Sequence, residues 1–152
     1  MEFRKYQKEI IDKSLGVLLK YNFVYLAMEV RTGKTLTSLG IAQSLFVNNV
    51  LFITKKKAIS SIENDYKLLS PKYKLIVINY ESLHKIPNLK WDIIICDESH
   101  SMGAFPKPNK RAKAVKDIIF KTRAKVILLS GTPTPESYSQ IYHQVFGIIK
   151  NP

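Results

Sequence analysis

Short apolar runs alternate along the chain with longer stretches in which apolar residues recur every three or four positions. The first such stretch predicts a helix over residues 4 to about 20, and the apolar run 23–27 predicts a buried strand. A second helix follows from about residue 34. The same alternation then predicts strands at 50–54, 75–78, 91–96 and 126–129, helices at 58–69 and 110–120, and a last helix from near Pro135.

The predicted strands are apolar throughout instead of alternating with polar residues, which suits a parallel sheet covered on both faces by helices. Right-handed crossovers then place every strand's C-terminal end at one edge, where open α/β sheets bind ligands. That edge collects the loops beginning at Met28, Thr54, Asn79, Asp97 and Ser130. We therefore predict a single domain over residues 1–152, a three-layer α-β-α sandwich with a mainly parallel sheet of at least five strands.

The composition adds a strong positive charge, because 24 Lys and Arg face 12 Asp and Glu for a formal net charge of +12. Such an excess favours polyanionic partners, although a lysine-rich surface could also serve solubility alone. No apolar run approaches a membrane span, and the polar first residues do not resemble a secretory signal. Cys96 is the only cysteine, which excludes an internal disulfide. We expect a cytoplasmic protein that does not engage a membrane.

Gly33-Lys34-Thr35 follows the first predicted strand and opens a helix, which is the context of a phosphate-binding loop. Backbone N–H groups and the helix N-terminus attract an anion there. Lys34 would contact the β- and γ-phosphates of a nucleotide, and the Thr35 hydroxyl would ligate Mg²⁺. Met28 stands where the usual G-x-x-x-x-G-K-[ST] pattern has its first glycine. On this motif alone, a Gly-Lys-Thr that opens an ordinary helix remains an alternative.

Two adjacent carboxylates, Asp97 and Glu98, come directly after the apolar fourth strand. Asp97 would hold the Mg²⁺ through its water shell, and Glu98 would orient and deprotonate the attacking water. The alternative is a solvated loop, which four preceding apolar residues disfavour. With Lys34, these two residues form the predicted catalytic set, and the arrangement is that of Walker A and Walker B motifs.

The ordered set of motifs resembles superfamily-two helicases and translocases, and within them the Swi/Snf-type ATPases. Asp97-Glu98-Ser99-His100 looks like the family's Asp-Glu-x-His motif, and Ser130-Gly131-Thr132-Pro133 looks like its motif III. Residues 3–7 resemble the Q-motif region, 50–57 motif Ia and 78–82 motif Ib. Swi/Snf-type phosphate loops also lack the first glycine, so Met28 fits the family, whereas Arg31 stands where the family usually has glycine. The resemblance covers nearly the whole chain and implies a RecA-like P-loop NTPase fold.

The resemblance also implies a role for each matching residue. Gln7 would recognise adenine, which makes ATP the nucleotide. The implied nucleotide-binding residues of the loop are Arg31, Thr32, Gly33, Lys34 and Thr35. His100, Ser130 and Thr132 would couple the nucleotide state to the nucleic-acid-binding surface. The implied nucleic-acid contacts are Thr54, Lys55, Lys56, Asn79, Tyr80, Lys110 and Arg111. For the basic helix that carries the last two, a solvated face with apolar positions turned inward remains an alternative.

The function that this resemblance implies is the ATP-binding lobe of a nucleic-acid-dependent ATPase, which couples Mg-ATP hydrolysis to movement on DNA. DNA is favoured over RNA as the partner, although the sequence leaves RNA open. The host would be a bacterium or a phage-infected cell. The family motor has a second RecA-like lobe that supplies an arginine finger. We find no motif of that lobe here and expect the isolated lobe to be weakly active or inactive. Two alternatives are a non-catalytic, ATP-gated nucleic-acid-binding module and a P-loop ATPase that does not act on nucleic acid.

Overall fold

A computed structural model describes residues 2–27, 33–97 and 110–130, and within them the chain alternates between helices and strands. The strands are β1 (Phe23–Ala27), β2 (Asn49–Thr54), β3 (Lys74–Asn79), β4 (Ile93–Cys96) and β5 (Lys125–Ser130). The α-helices are α1 (Lys5–Tyr21), α2 (Lys34–Ser44), α3 (Ile59–Leu69) and α4 (Lys110–Thr122). Two 3-10 segments, Lys56–Ala58 and Tyr80–Lys85, follow the ends of β2 and β3. Every predicted element in the described ranges is present within a few residues of its expected bounds, and the helix predicted near Pro135 lies outside them.

The five strands form one sheet in the order β1-β5-β4-β2-β3, and every pair is parallel. β5 therefore separates β1 from β4, although β1 and β4 precede it in the sequence. The register pairs Ala27 with Ser130 and Thr54 with Asn79, so these strands end together. The predicted parallel sheet of at least five strands is confirmed.

Helices cover both faces of the sheet. Successive residues of a strand point to opposite faces, so one strand contributes side chains to two separate cores. On one face, Leu51 and Ile53 of β2 belong to a buried cluster with Val115 and Ile119 of α4. On the other face, Val50 and Phe52 belong to a cluster that also contains Leu18 of α1, Leu39 of α2 and Ile62 of α3. The predicted three-layer arrangement follows from these two cores, and α4 turns Val115 and Ile119 inward.

The edge where the strands begin is fixed by side-chain to backbone hydrogen bonds. Asp92, just before β4, accepts the backbone N–H groups of Asn48 and Asn49 at 3.0 and 2.9 Å. Its backbone carbonyl accepts the N–H of Lys125 at 3.0 Å. One residue therefore aligns the starts of β2, β4 and β5. The candidate ligand-binding residues lie at the opposite edge, where the strands end. Among the helices that the structure describes, none is both long and apolar enough to cross a membrane.

Candidate nucleotide-binding site

Gly33 marks the beginning of α2 with a backbone conformation that few other residues adopt. Its φ of 73° and ψ of 35° lie in the left-handed region, where glycine avoids the steric penalty of a Cβ atom. The Gly33 carbonyl accepts both the backbone N–H of Thr37 at 3.0 Å and the Thr37 hydroxyl at 2.9 Å. These bonds close the first turn of α2 and fix the position from which Lys34 projects.

Lys34 and Asp97 meet at the edge where the strands end. The Lys34 Nζ lies 3.3 Å from Asp97 Oδ1, and each side chain is only 7% exposed. Lys34 begins α2, the helix that follows β1 in the sequence, and Asp97 directly follows β4; β5 lies between β1 and β4 in the sheet. A buried pair of this kind is costly to separate, because either charge alone would be left in a poorly solvated site.

Asp97 is also held by residues at the ends of β2 and β3. Its backbone N–H donates to the Ile53 carbonyl at 2.8 Å. The Thr54 hydroxyl donates to Asp97 Oδ2 at 3.1 Å, and the Tyr80 hydroxyl donates to the Asp97 carbonyl at 2.7 Å. The backbone of Asp97 and both of its carboxylate oxygens are therefore held in place by contacts with neighbouring residues.

Gln7 lies against the phosphate-loop glycine, although the two residues are far apart in sequence. Gln7 is 5% exposed, and its Oε1 accepts the backbone N–H of Arg4 at 2.9 Å at the start of α1. A Cβ atom added to Gly33 would lie 2.5 Å from Gln7 Nε2. The structure thus brings the proposed adenine-recognition residue beside the beginning of α2.

The predicted nucleic-acid residues on the ends of β2 and β3 divide into two groups. Lys55 and Lys56 are exposed, and the half-buried Asn79 donates from Nδ2 to Glu81 Oε2 at 3.1 Å. Thr54 and Tyr80 are 0% and 5% exposed, and their hydroxyls point to Asp97. Burial argues against the expectation that these two side chains contact nucleic acid directly.

The exposed lysines border a shallow depression that the sequence analysis did not identify. The depression has a volume of about 330 Å³, and its lining consists of Lys55, Lys56, Lys57, Tyr80 and Glu81. We call it the lysine depression. Lys57 is a newly identified member, and the run of three lysines was the signal that could have revealed it.

Several predicted site residues cannot be located in the described structure. Those that lie outside the described residues are Arg31, Thr32, Glu98, His100 and Thr132. Lys110 and Arg111 lie in α4 and Ser130 lies at the end of β5, but their side chains are outside the described part. Pairing with Ala27 brings the backbone of Ser130 to the same edge as Asp97.

The donor atoms at this edge suit Mg²⁺, which characteristically uses one or two carboxylates together with substrate phosphates and water. Asp97 supplies a carboxylate, and the half-buried Thr35 lies in the first turn of α2. Among the described residues, no group of three or more His, Cys, Asp or Glu is arranged to hold a metal by itself. Burial, reinforced by the Asp97 charge, raises the pKa of the Cys96 thiol, which favours a neutral thiol that contributes no ligand.

A larger depression lies at the opposite edge of the sheet, where the strands begin. Its volume is about 560 Å³, and Lys90, Asp92, Lys121, Arg123 and Lys125 are among its lining residues. It contains none of the predicted site residues. Size alone therefore does not identify a site, and the candidate site is drawn instead from the contact of Lys34 with Asp97 and the position of Gln7 beside Gly33.

Comparison with protein families gives two overlapping matches. The SNF2-related domain matches residues 43–150, and the res subunit of type III restriction enzymes matches residues 1–82. The human DNA repair and recombination protein RAD54B is 30% identical over 92 residues, which cover 55% of this chain and 10% of that protein. The chain therefore spans about a tenth of the length of this curated relative.

Solved structures with a similar fold include helicases and a restriction enzyme. The Hef helicase domain of Pyrococcus furiosus has a TM-score of 0.67 and 19% identity, covering 94% of this chain and 36% of that one. A hypothetical ATP-dependent RNA helicase from Sulfolobus tokodaii has a TM-score of 0.63 and 18% identity, covering 97% and 52%. The Type ISP restriction-modification enzyme LlaGI, solved with a DNA substrate mimic, has a TM-score of 0.62 and 17% identity, covering 88% and 18%. At these identities the likeness establishes the shared fold.

Proposed function

Because the chain belongs to the SNF2-related domain family, we propose that it is the ATP-binding lobe of a nucleic-acid-dependent ATPase that couples hydrolysis to movement on DNA. The observation that carries the proposal is the buried contact between Lys34 and Asp97 at the C-terminal edge of the sheet. A phosphate-binding lysine near a metal-holding carboxylate is a recurring part of the phosphoryl-transfer site in P-loop NTPases.

In the proposed reaction, water attacks the γ-phosphorus in line with the departing β-γ bridging oxygen. Lys34 pairs with the phosphate oxygens, and Glu98 orients the water and accepts its proton. Mg²⁺ held by Thr35 and Asp97 would neutralise the negative charge that develops on the phosphates. Gln7 would recognise adenine, and Arg31, Thr32 and Gly33 would line the loop around the phosphates.

For nucleic acid, we propose that Lys55 and Lys56 contact backbone phosphates, with Asn79, Lys110 and Arg111 as further contacts. Such contacts provide affinity without sequence readout. His100, Ser130 and Thr132 would transmit the nucleotide state to this surface. The similarity to RAD54B, a DNA repair and recombination protein, supports DNA as the substrate.

We also propose that hydrolysis needs a second RecA-like lobe, which supplies the arginine finger. The small share of its relatives that this chain spans supports a larger assembly. Without that lobe, we expect ATP binding with slow hydrolysis at best, because an arginine finger accelerates related NTPases by about 10³–10⁵-fold.

The test compares Lys34→Ala and Glu98→Gln with the unmodified chain, using binding of a fluorescent ATP analogue and the rate of phosphate release with and without DNA. Lys34→Ala should weaken binding by at least about tenfold, equivalent to about 1.4 kcal/mol. Glu98→Gln should retain binding and abolish the remaining turnover. Lys13→Ala, which removes an exposed lysine of α1, is the matched control and should change neither quantity.

The outcomes separate the proposal from its two alternatives. Unchanged nucleotide affinity in Lys34→Ala would contradict the site itself. Tight binding without turnover, even with a second lobe supplied, would support the non-catalytic binding module. Turnover that no DNA or RNA alters would support an ATPase that does not act on nucleic acid.

A further inference from the structure

The lysine depression and Asp97 are separated by a single layer of buried side chains. Tyr80 takes part in both, because it lines the depression and its hydroxyl donates to the Asp97 carbonyl at 2.7 Å. Thr54 precedes Lys55 directly, and its hydroxyl donates to Asp97 Oδ2 at 3.1 Å. Two independent hydrogen bonds thus lead from the basic surface to the same residue.

Burial makes these two bonds suitable for transmitting a small displacement. Thr54 is 0% exposed and Tyr80 is 5% exposed, so both hydroxyls are well shielded from water. A hydrogen bond to a buried group is expensive to leave unmade, so Asp97 should follow its partners rather than lose them. The planar peptide between Thr54 and Lys55 also couples the two residues mechanically.

The two bonds also act on the part of Asp97 that matters for the nucleotide. Thr54 contacts Oδ2, while Lys34 contacts Oδ1 of the same carboxylate. A shift of Thr54 therefore alters how the carboxylate is shared with the phosphate-binding lysine. Tyr80 instead holds the backbone of Asp97, immediately after β4.

We propose that Thr54 and Tyr80 are positioning residues that couple polynucleotide binding at the lysine depression to Mg-nucleotide binding at Lys34 and Asp97. The inference rests on the proposed function and deepens it. It assigns a physical route between the polynucleotide site and the Mg-nucleotide site. Coupling between sites is reciprocal for binding equilibria. A polynucleotide that raises nucleotide affinity must therefore itself bind more tightly when the nucleotide is present.

The experiment measures the Kd of a fluorescent ATP analogue with Mg²⁺, first alone and then with a saturating DNA oligonucleotide, using the unmodified 152-residue chain and its variants. The ratio of the two values is the coupling factor, typically about 5–150 in coupled proteins. Tyr80→Phe and Thr54→Val each remove one hydroxyl with little change of shape. Both should bring the coupling factor close to one. The Kd without DNA should rise as well, more in Thr54→Val, whose lost bond goes to a charged carboxylate, than in Tyr80→Phe, whose lost bond goes to a backbone carbonyl. The coupling factor is a ratio of two Kd values of the same variant, so this basal change cancels from it.

Tyr73→Phe provides the matched control. Tyr73 is 4% exposed, and its hydroxyl donates to a backbone carbonyl, that of Leu39, at 2.9 Å. Its loss removes the same kind of bond from a site without contact to Asp97, so the coupling factor should stay at its original value. Thr54→Ser retains the hydroxyl and should retain coupling where Thr54→Val loses it.

Each result has a definite meaning. Coupling that persists unchanged in both Tyr80→Phe and Thr54→Val overturns the inference and leaves the proposed function intact. So does a chain that binds both ligands without coupling, or a Tyr73→Phe variant that loses coupling equally. A chain that binds neither Mg-nucleotide nor DNA contradicts the proposed function itself.

Discussion

At the scale of single residues, Gly33 determines how closely the beginning of α2 approaches its surroundings. Two separate features make glycine the favoured residue at this position, namely its positive φ and its closeness to the Gln7 amide. The first is intrinsic to the backbone, and the second depends on where α1 packs. A substitution at this position therefore acts on the proposed phosphate loop and on Gln7, the proposed adenine-recognition residue, together.

We expect Gly33→Ala to weaken binding of Mg-ATP by about 5–30-fold, because a left-handed alanine costs about 1–2 kcal/mol. The added Cβ would also meet Gln7 Nε2 at 2.5 Å. Titration with a fluorescent ATP analogue measures the effect. The double variant Gln7→Ala with Gly33→Ala removes the close approach but not the backbone strain, so it should not restore binding. Full affinity in Gly33→Ala would show that this loop does not hold the phosphates.

The positions of candidate site residues could be predicted from sequence where a local motif places them, and not where a tertiary hydrogen bond does. Lys34 and Asp97 each follow a strand and have the chemistry for phosphate and metal, so their convergence at one sheet edge was predictable. The contacts of Thr54 and Tyr80 with Asp97 were not, because they require β2 to lie between β3 and β4. Sequence order alone leaves several strand orders possible.

At the scale of elements, the strands were predictable because their residues are apolar throughout, as burial on both faces of a sheet requires. The helices were predictable because their apolar residues recur every three or four positions. The insertion of β5 between β1 and β4 was not, since right-handed crossovers allow more than one order. The apolar periodicity likewise does not predict how closely α1 and α2 pack. That packing depends on Gly40, where an added Cβ would lie 2.6 Å from Phe3 Cζ and 2.9 Å from Ile11 Cδ1.

Gly40→Ala should destabilise the chain, because overpacking a helix contact costs about 1–3 kcal/mol and exceeds the gain in helix propensity. Gly16→Ala is the matched control on α1, since nothing lies within 4 Å of its added Cβ. That variant should stabilise the chain by about 0.5–1 kcal/mol. Chemical denaturation measures both free energies of unfolding. Equal stabilisation by the two alanines would contradict this prediction and show that the ends of the Phe3 and Ile11 side chains move aside at little cost.

At the scale of the whole molecule, the net charge of +12 predicts affinity for polyanions but does not say which surface provides it. Exposed lysines also occur at the opposite edge and on the helices. The lysine depression differs from them in its position, because it adjoins the residues that hold Asp97. A charge effect spread over the surface and a local contact therefore predict different mutational results.

Replacing Lys55, Lys56 and Lys57 together by Gln should weaken DNA binding and reduce its salt dependence. For duplex DNA, the slope of log K against log salt becomes shallower by about 0.9 for each phosphate that the protein no longer neutralises. The control replaces Lys13, Lys67 and Lys72, which are exposed elsewhere and change the net charge equally. Binding measured across a salt series distinguishes the two. Identical slopes for both triple variants would mean that the charge acts without a local site.

The buried pair of Lys34 and Asp97 has a consequence for which form of ATP the proposed site accepts. A metal-free nucleotide would draw Lys34 toward its phosphates and leave the Asp97 carboxylate without that partner, facing further negative charge. Losing one member of a buried pair costs about 3–5 kcal/mol. The magnesium complex supplies phosphate oxygens for Lys34 and a cation for Asp97 together. Each buried charge therefore gains a new partner of opposite charge when the pair separates. At the proposed site, this charge pair should therefore favour the magnesium complex of ATP over uncomplexed ATP.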